Sequence, residues 1–261
     1  MTPSGILLAA IIGVVLGSFA TALSWRLPRG IPICSSARSR CPACGHTLSV
    51  LDLVPLLSWV CLRGKCRHCQ EPIGLRYPVI EAATLALSLA FYAAYGLRPE
   101  ALPILALAPV LVAMIDIDLR YKILPDALNL SVLITGVVTL ACGAAVAARG
   151  ADFASTAVVG ALTGVVLYGG GAWLLRQAGG FFLKREALGL GDVKFYAAAG
   201  FWLGLNVDAA IIFLIASGLS GVLFATVWKK ISGEAEVPFG PALIIAFVMA
   251  VCLTPTGLLP Y

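Results

Sequence analysis

Four aspartates lie at the edges of apolar stretches, where a carboxylate is unusual enough to suggest chemistry. Asp116 and Asp118 close one apolar stretch and Asp126 opens the next, all within residues 114–126 (MIDIDLRYKILPD). Asp192 follows two glycines in the segment LGLGDVKF, where another apolar stretch begins. Aspartates are also common caps at helix ends, so their position alone does not establish catalysis.

A pair of such aspartates has the chemistry of an acid and a base. Two carboxylates that share a desolvated site cannot both ionise cheaply, so one keeps its proton while the other stays charged. The ionised carboxylate can take a proton from water as it attacks an amide, and the protonated one can donate to the developing oxyanion. The glycines before Asp192 would let an extended substrate approach. This chemistry is peptide hydrolysis without a metal, and ion transport by the same groups is the alternative.

The composition indicates the solvent in which these aspartates lie. Apolar residues make up 60% of the 261 residues and charged residues only 12%, which excludes a water-soluble globule for most of the chain. A membrane helix needs about 20 apolar residues. The sequence predicts an all-α polytopic membrane protein with about eight spans, although seven are possible because little separates the sixth from the seventh. The windows are roughly 4–24, 78–97, 100–117, 127–148, 153–175, 193–207, 209–228 and 238–258.

Basic residues predict the orientation of these spans. If the first span runs from outside to inside, every Lys and Arg except Arg98 and Arg149 falls on an inner segment. Both aspartate clusters then lie at the cytosolic membrane boundary. The net charge of +5 therefore reflects topology and anionic lipid, and we expect no nucleic-acid partner.

The longest polar segment, residues 26–77, carries two pairs of cysteines. Cys41 and Cys44 stand in CPAC, and Cys66 and Cys69 stand in CRHC. Two such pairs about 20 residues apart are typical of a four-thiolate zinc site. The alternatives are a pair of disulfides and a redox pair, but the predicted cytosolic location keeps thiols reduced. A segment this small buries little apolar surface, so we expect the zinc to be structural.

Four blocks in this order resemble the prepilin peptidases, the bifunctional type IV leader peptidases and N-methyltransferases. The resemblance covers nearly the whole chain and is specific because the blocks are independent. It implies an aspartic endopeptidase of the bacterial inner membrane that removes prepilin and pseudopilin leaders after a glycine. The same protein would methylate the new N-terminal amine with S-adenosylmethionine. The blocks are residues 17–30 (GSFATALSWRLPRG), 40–82 (the cysteine segment through RYPVIEA), 118–126 (DLRYKILPD) and 189–194 (GLGDVK).

The resemblance implies roles for particular residues. Asp192 matches the aspartate of the GxGD motif. Family members usually place the second catalytic aspartate seven residues before the proline of the LPD motif, and Asp118 stands at that distance from Pro125. Asp116 would then be a neighbour that raises the proton affinity of the pair, or a boundary residue. Lys194 would hold a carboxylate or the substrate, or else be an interfacial cation.

These inferences predict three regions with different functions. Residues 1–25 form the first transmembrane helix, residues 26–77 the cytosolic zinc segment associated with methyl transfer, and residues 78–261 the membrane peptidase domain. Two other classes of function stay open. A transporter would use Asp118 and Asp192 as ion ligands, although transporters hold such carboxylates near the bilayer midplane and these are predicted at one face. A membrane scaffold would use the zinc segment for docking without any chemistry.

Overall fold

The computed structural model describes residues 2–33, 39–147, 150–183, 188–234, 236–254 and 258–259. Arg149, one of the two basic residues predicted to lie outside, is not among them. The described residues form helices and two isolated β-bridges, and no strand occurs in these ranges. The predicted all-α class is therefore confirmed. The helices are α1 (Pro3–Arg26), α2 (Leu57–Cys61), α3 (Arg76–Tyr95), α4 (Leu102–Leu105), α5 (Leu107–Tyr121), α6 (Asp126–Val146), α7 (Gly150–Gly164), α8 (Gly170–Leu183), α9 (Leu190–Leu203), α10 (Val207–Ser232) and α11 (Gly240–Leu253).

Each of the eight apolar windows is largely helical. Within the described ranges, six helical stretches are long and apolar enough to cross a membrane. Helices α9 and α11 have only 14 residues each, or about 21 Å at 1.5 Å per residue, against a hydrocarbon core of about 30 Å. Eight is therefore an approximate number of crossings. The six stretches are Pro3–Arg29, Arg76–Tyr95, Pro99–Tyr121, Asp126–Val146, Ala151–Phe181 and Val207–Ser232.

The chain divides into two compact units. Residues 1–96 and 108–113 form the first, in which α1 and α3 pack as antiparallel neighbours. Small residues line the buried face of α1, since Ala9, Gly13, Gly17 and Ala20 are all buried. A Cβ atom on Gly17 would lie 3.0 Å from the Cα atom of Glu81. Small residues allow two membrane helices to approach this closely.

The second unit contains residues 97–107 and 114–261, and half of the residues of α9 are buried in it. The side chains of Phe195 and Trp202 are fully buried, and the indole Nε1 of Trp202 donates to the carbonyl of Val132 on α6 at 3.0 Å. A Cβ atom on Gly164 of α7 would clash with the carbonyl oxygen of Gly200 on α9, so only glycine fits there. Residues 198–203 of α9 are all buried, so protein surrounds the second half of this helix. This packing fixes the start of α9, where Asp192 stands.

Candidate active site and metal centre

Asp118 is a buried carboxylate near the end of α5, with 4% of its surface exposed. Its Oδ2 atom accepts a hydrogen bond of 2.8 Å from the backbone N–H of Gly240, the first residue of α11. A Cβ atom at position 240 would lie 2.7 Å from that oxygen. Only a glycine therefore brings the start of α11 this close to Asp118.

Asp192 occupies the third position of α9. Its Oδ2 atom accepts a hydrogen bond of 3.2 Å from the N–H of Gly189, the residue that caps the helix. A Cβ atom on Gly189 would stand 3.0 Å from the same oxygen, so glycine leaves room for this arrangement. Asp118 lies near enough to Asp192 for the two negative charges to repel each other. The two aspartates selected from the sequence thus belong to one site of the second unit.

Leu124 lies between two glycine-containing segments. One contains Gly189, whose N–H donates to Asp192, and the other begins at Gly240, whose N–H donates to Asp118. A Cβ atom on Gly191 would lie 3.0 Å from the Cβ of Leu124, and one on Gly240 would lie 2.9 Å from its Cδ2. Asn129 of α6 donates from Nδ2 to the Gly191 carbonyl at 3.3 Å. Gly191 is therefore needed for packing against Leu124, a role that the sequence did not reveal.

The other two aspartates of the sequence clusters have basic partners. Asp116 lies 3.6 Å from Nε of Arg120, one turn further along α5. Asp126 forms a close ion pair with Lys194, whose Nζ stands 2.6 and 2.7 Å from the two carboxylate oxygens. This pair joins the starts of α6 and α9, which positions Asp192 relative to the LPD motif.

A second ion pair holds the segment that leads into α11. Lys122, in the left-handed conformation at the end of α5, places its Nζ 2.9 Å from an oxygen of Glu234. This hydrogen bond keeps the pKa of Glu234 below its ordinary value. The segment before Gly240 is thus attached to the end of the helix that carries Asp118. Gly240 was not predicted as a site residue, although the Gly-Pro pair at the start of the last apolar window is typical of a helix start.

The four cysteines of the polar segment form one cluster. The sulfur atoms of Cys41, Cys44, Cys66 and Cys69 all lie within 4.8 Å of one another, and Cys41 and Cys69 are 3.9 Å apart. Tetrahedral zinc with Zn–S bonds of about 2.3 Å places its sulfurs about 3.8 Å apart. All described cysteines are free thiols, so the cluster fits the predicted zinc ion and not the alternative disulfides.

Backbone N–H groups point at the sulfurs of this cluster. Hydrogen bonds from the N–H groups of Cys69 and His68 lower the pKa of the Cys66 thiol to about 7. The N–H of Glu71 acts in the same direction on Cys69, but burial and the neighbouring thiols prevail and raise its pKa to about 12. A divalent cation bound by these sulfurs would replace the thiol protons.

The two cysteine pairs have the same backbone geometry, shifted by 25 residues along the chain. The N–H of Cys41 donates to the His46 carbonyl, and the N–H of Cys66 donates to the Glu71 carbonyl, both at 2.9 Å. Each turn ends in the left-handed conformation, with φ of 70° at Gly45 and 59° at Gln70. The second turn therefore uses a conformation that glycine adopts more easily than glutamine does.

This difference gives a matched test of the two turns. Gly45→Val should weaken zinc binding about fivefold or more, because a β-branched residue loses about 1 kcal/mol or more in the left-handed region. Gln70→Gly should bind zinc at least as tightly as the unchanged protein. Competition against a chelator measures both affinities. Weaker binding by Gln70→Gly alone would show that the Gln70 side chain, rather than the backbone, matters.

The long apolar helices define a multi-pass membrane protein, and its second unit brings buried Asp118 and partly buried Asp192 into one site. Residues 11–95 match the bacterial peptidase A24 N-terminal domain, and residues 105–226 match the type IV leader peptidase family. The chain belongs to the type IV leader peptidase family and is an enzyme. The family resemblance of the four sequence blocks is confirmed.

Several curated relatives align along most of the chain. The prepilin leader peptidase/N-methyltransferase of Burkholderia pseudomallei strain 1026b is 34% identical over 92% of this chain and 84% of its own. A type 4 prepilin-like proteins leader peptide-processing enzyme of Escherichia coli O78:H11 is 35% identical over 94% and 93%. The prepilin leader peptidase/N-methyltransferase of Aeromonas hydrophila is 38% identical over 80% and 69%. No solved structure matches the chain significantly.

Proposed function

We propose that this enzyme cleaves the leader of type IV prepilins and pseudopilins after a glycine and then methylates the new N-terminal amine. S-adenosylmethionine is the co-substrate that supplies the methyl group. The peptidase half rests on the packing of Leu124 against two glycines, Gly240, whose N–H donates to Asp118, and Gly191, the residue before Asp192. This packing brings the two aspartates into one site. The names of the relatives support the methyltransferase half.

Asp118 and Asp192 are the proposed catalytic residues. One carboxylate stays ionised and removes a proton from the attacking water, while the other is protonated and donates to the oxyanion of the scissile amide. Their mutual repulsion favours this single shared proton. Asp116 and Asp126 are less suited to the role because each has a basic partner, Arg120 and Lys194 respectively.

The substrate must present an extended peptide to these carboxylates, because a helix hides its own amide bonds. Collapse of the tetrahedral intermediate transfers a proton to the leaving amine, which becomes the N-terminus of the mature pilin. That amine is the nucleophile for methylation once it has lost a proton. The two reactions thus follow each other on one substrate, in the order cleavage and then methyl transfer.

Cys41, Cys44, Cys66 and Cys69 would hold one structural zinc ion, which stabilises residues 40–76 and takes no part in hydrolysis. We assign residues 26–77 to methyl transfer and residues 78–261 to proteolysis. The distribution of Lys and Arg supports placing both activities at the cytosolic face of the bacterial inner membrane. In this orientation the lipid bilayer surrounds the spans and no nucleic acid is bound.

The contact between Gly240 and Asp118 gives a prediction for the peptidase site. Gly240→Ala should lower the rate of cleavage at saturating substrate at least tenfold, because its methyl group would displace the Asp118 carboxylate. Gly218→Ala on α10 is the matched control, since a Cβ atom there meets nothing within 4 Å. Cleavage kinetics measure both variants. Equal rates for Gly240→Ala and the control would show that this contact does not position Asp118.

The proposed function is tested with purified protein and a synthetic prepilin peptide. Mass spectrometry should detect the free leader and the mature peptide, and the mature peptide should gain one methyl group only when S-adenosylmethionine is present. Cleavage without methylation would support the proposed peptidase activity and contradict the proposed methyltransferase activity. Neither reaction in zinc-loaded, folded protein would favour the transporter or the scaffold.

A further inference from the structure

One apolar surface of the first unit lies outside its membrane-spanning helices. Between the two cysteine pairs, four large apolar side chains are more than 60% exposed. We call them the apolar patch, and they are Val50, Leu51, Leu57 and Val60. A patch of this kind on a polar segment marks an interaction site.

Helix α2 is attached directly to a membrane-spanning helix. The backbone N–H of Leu56, the residue before α2, donates to Oε2 of Glu81 at 2.7 Å. Glu81 is five residues into α3, which begins at Arg76, so the contact lies about 7.5 Å along the helix from its start. The headgroup region on each side of a bilayer is about 5–7 Å thick. Leu56 and the start of α2 therefore stand at the level where α3 is expected to pass from the headgroups into the hydrocarbon.

Contacts between α1 and α3 show which part of α1 lies beside Glu81. Arg76, at the start of α3, donates from Nη2 to the hydroxyl oxygen of Ser24 at 3.2 Å, near the end of α1. Gly17, about two turns earlier in α1, packs against the backbone of Glu81. The patch is thus attached through Leu56 to α3, at a level where α3 packs against α1.

Charge in the segment also suits a membrane surface with anionic lipids. Residues 26–77 contain basic residues in large excess over Asp52 and Glu71. The charge of Asp52, which lies next to Leu51, is already paired, since Arg67 Nε stands 2.8 Å from its Oδ1. Hydrogen bonds from Ser49 and Arg67 hold the pKa of Asp52 at about 2. Lys and Arg side chains close to an anionic membrane surface are attracted to its phosphates.

We propose that the apolar patch is a membrane-interface anchor that inserts into the same bilayer that the spanning helices cross. Its occupant is anionic phospholipid, with the four apolar side chains at the boundary of headgroups and acyl chains and the basic residues against phosphate. The anchor holds the cysteine cluster at the membrane surface. This inference goes beyond the proposed function and does not depend on either enzymatic activity.

Site-specific spin labels on the full zinc-loaded protein in phosphatidylglycerol and phosphatidylethanolamine vesicles test the proposal. A ketone-containing amino acid at position 60 carries the label, so that the cysteines stay untouched. Label at 60 should collide readily with oxygen and poorly with a water-soluble nickel chelate. The controls are position 71, an exposed polar site of the same segment, and position 214, an exposed apolar site of α10.

The expected oxygen-to-nickel ratio at position 60 lies between those of positions 71 and 214. A ratio equal to that at 71 would overturn the proposal, because the patch would then face water. Exclusion of both reagents would also overturn it, because a protein or a second copy would then cover the patch. Zinc content reports whether each labelled protein is folded, and position 50 replaces position 60 if labelling there releases zinc.

Discussion

Replacement of Asp118 or Asp192 by asparagine should lower cleavage of a prepilin peptide by about 100-fold or more. Asparagine keeps the shape of the side chain but removes the group that accepts or donates a proton, and general acid–base catalysis contributes about 10²–10⁴-fold. In the Asp118→Asn variant the new amide oxygen can still accept the Gly240 hydrogen bond, so the helices should stay in place. Cleavage rates by mass spectrometry and zinc content by elemental analysis measure the two effects separately.

Asp116→Asn is the matched control for this pair. Asp116 lies on the same helix only two residues from Asp118, but its carboxylate stands near Arg120, so its replacement should lower cleavage far less. Loss of cleavage in Asp116→Asn with activity preserved in Asp118→Asn would show that the assignment by distance to Pro125 is wrong.

Replacement of Cys41 or Cys69 by serine should release close to one zinc ion per chain. Three thiolates bind zinc far more weakly than four, and the small segment depends on the metal for its folding. Residues 40–76 should then exchange their amide hydrogens faster. Methylation should be lost more completely than cleavage, because Asp118 and Asp192 are held by contacts within the second unit.

Cys61→Ser is the control for the cysteine variants. Cys61 is an exposed free thiol of the same segment and does not belong to the four-sulfur cluster, so its replacement should leave the zinc content unchanged. Protein purified without chelator that contains no zinc would contradict the metal assignment. Equal loss of zinc in Cys61→Ser and Cys41→Ser would show that zinc is not lost through removal of one of its ligands.

The helical architecture and the family could be predicted from the sequence because both depend on patterns along the chain. Apolar windows of the required length predict spanning helices, and the order of the four blocks predicts the family. The number of crossings was less certain because α9 is enclosed by protein, and burial in protein and burial in lipid favour the same apolar residues. Hydropathy alone cannot separate the two environments.

The aspartate site could be predicted only in part. The spacing from Pro125 selected Asp118 over Asp116, and the structure adds that Asp116 has a basic neighbour while Asp118 is buried. The backbone N–H of Gly240 could not be predicted as a partner, because it is 122 residues away in the chain and belongs to no side chain. The contact of Leu124 with Gly191 and Gly240 was missed for the same reason.

The cysteine segment shows the same limit on a smaller scale. The two CxxC motifs predicted a four-thiolate cluster, and their sulfurs lie close enough to bind one ion. Gly45 in the first turn is of a residue type that readily adopts the left-handed conformation, but nothing in the sequence indicated that Gln70 adopts it in the second. That conformation follows from the common geometry that both turns must have to aim two sulfurs at one point.

The most direct measurement compares the unchanged protein with Asp192→Asn on two peptides, one with an intact leader and one already cleaved at the glycine. Both proteins should methylate the cleaved peptide when S-adenosylmethionine is present, because a deprotonated amine and an aligned methyl donor do not need the aspartate pair. Only the unchanged protein should release the leader. If Asp192→Asn released the leader at a normal rate, Asp192 would not be catalytic, and if it lost methylation with its zinc intact, the two activities would share one site.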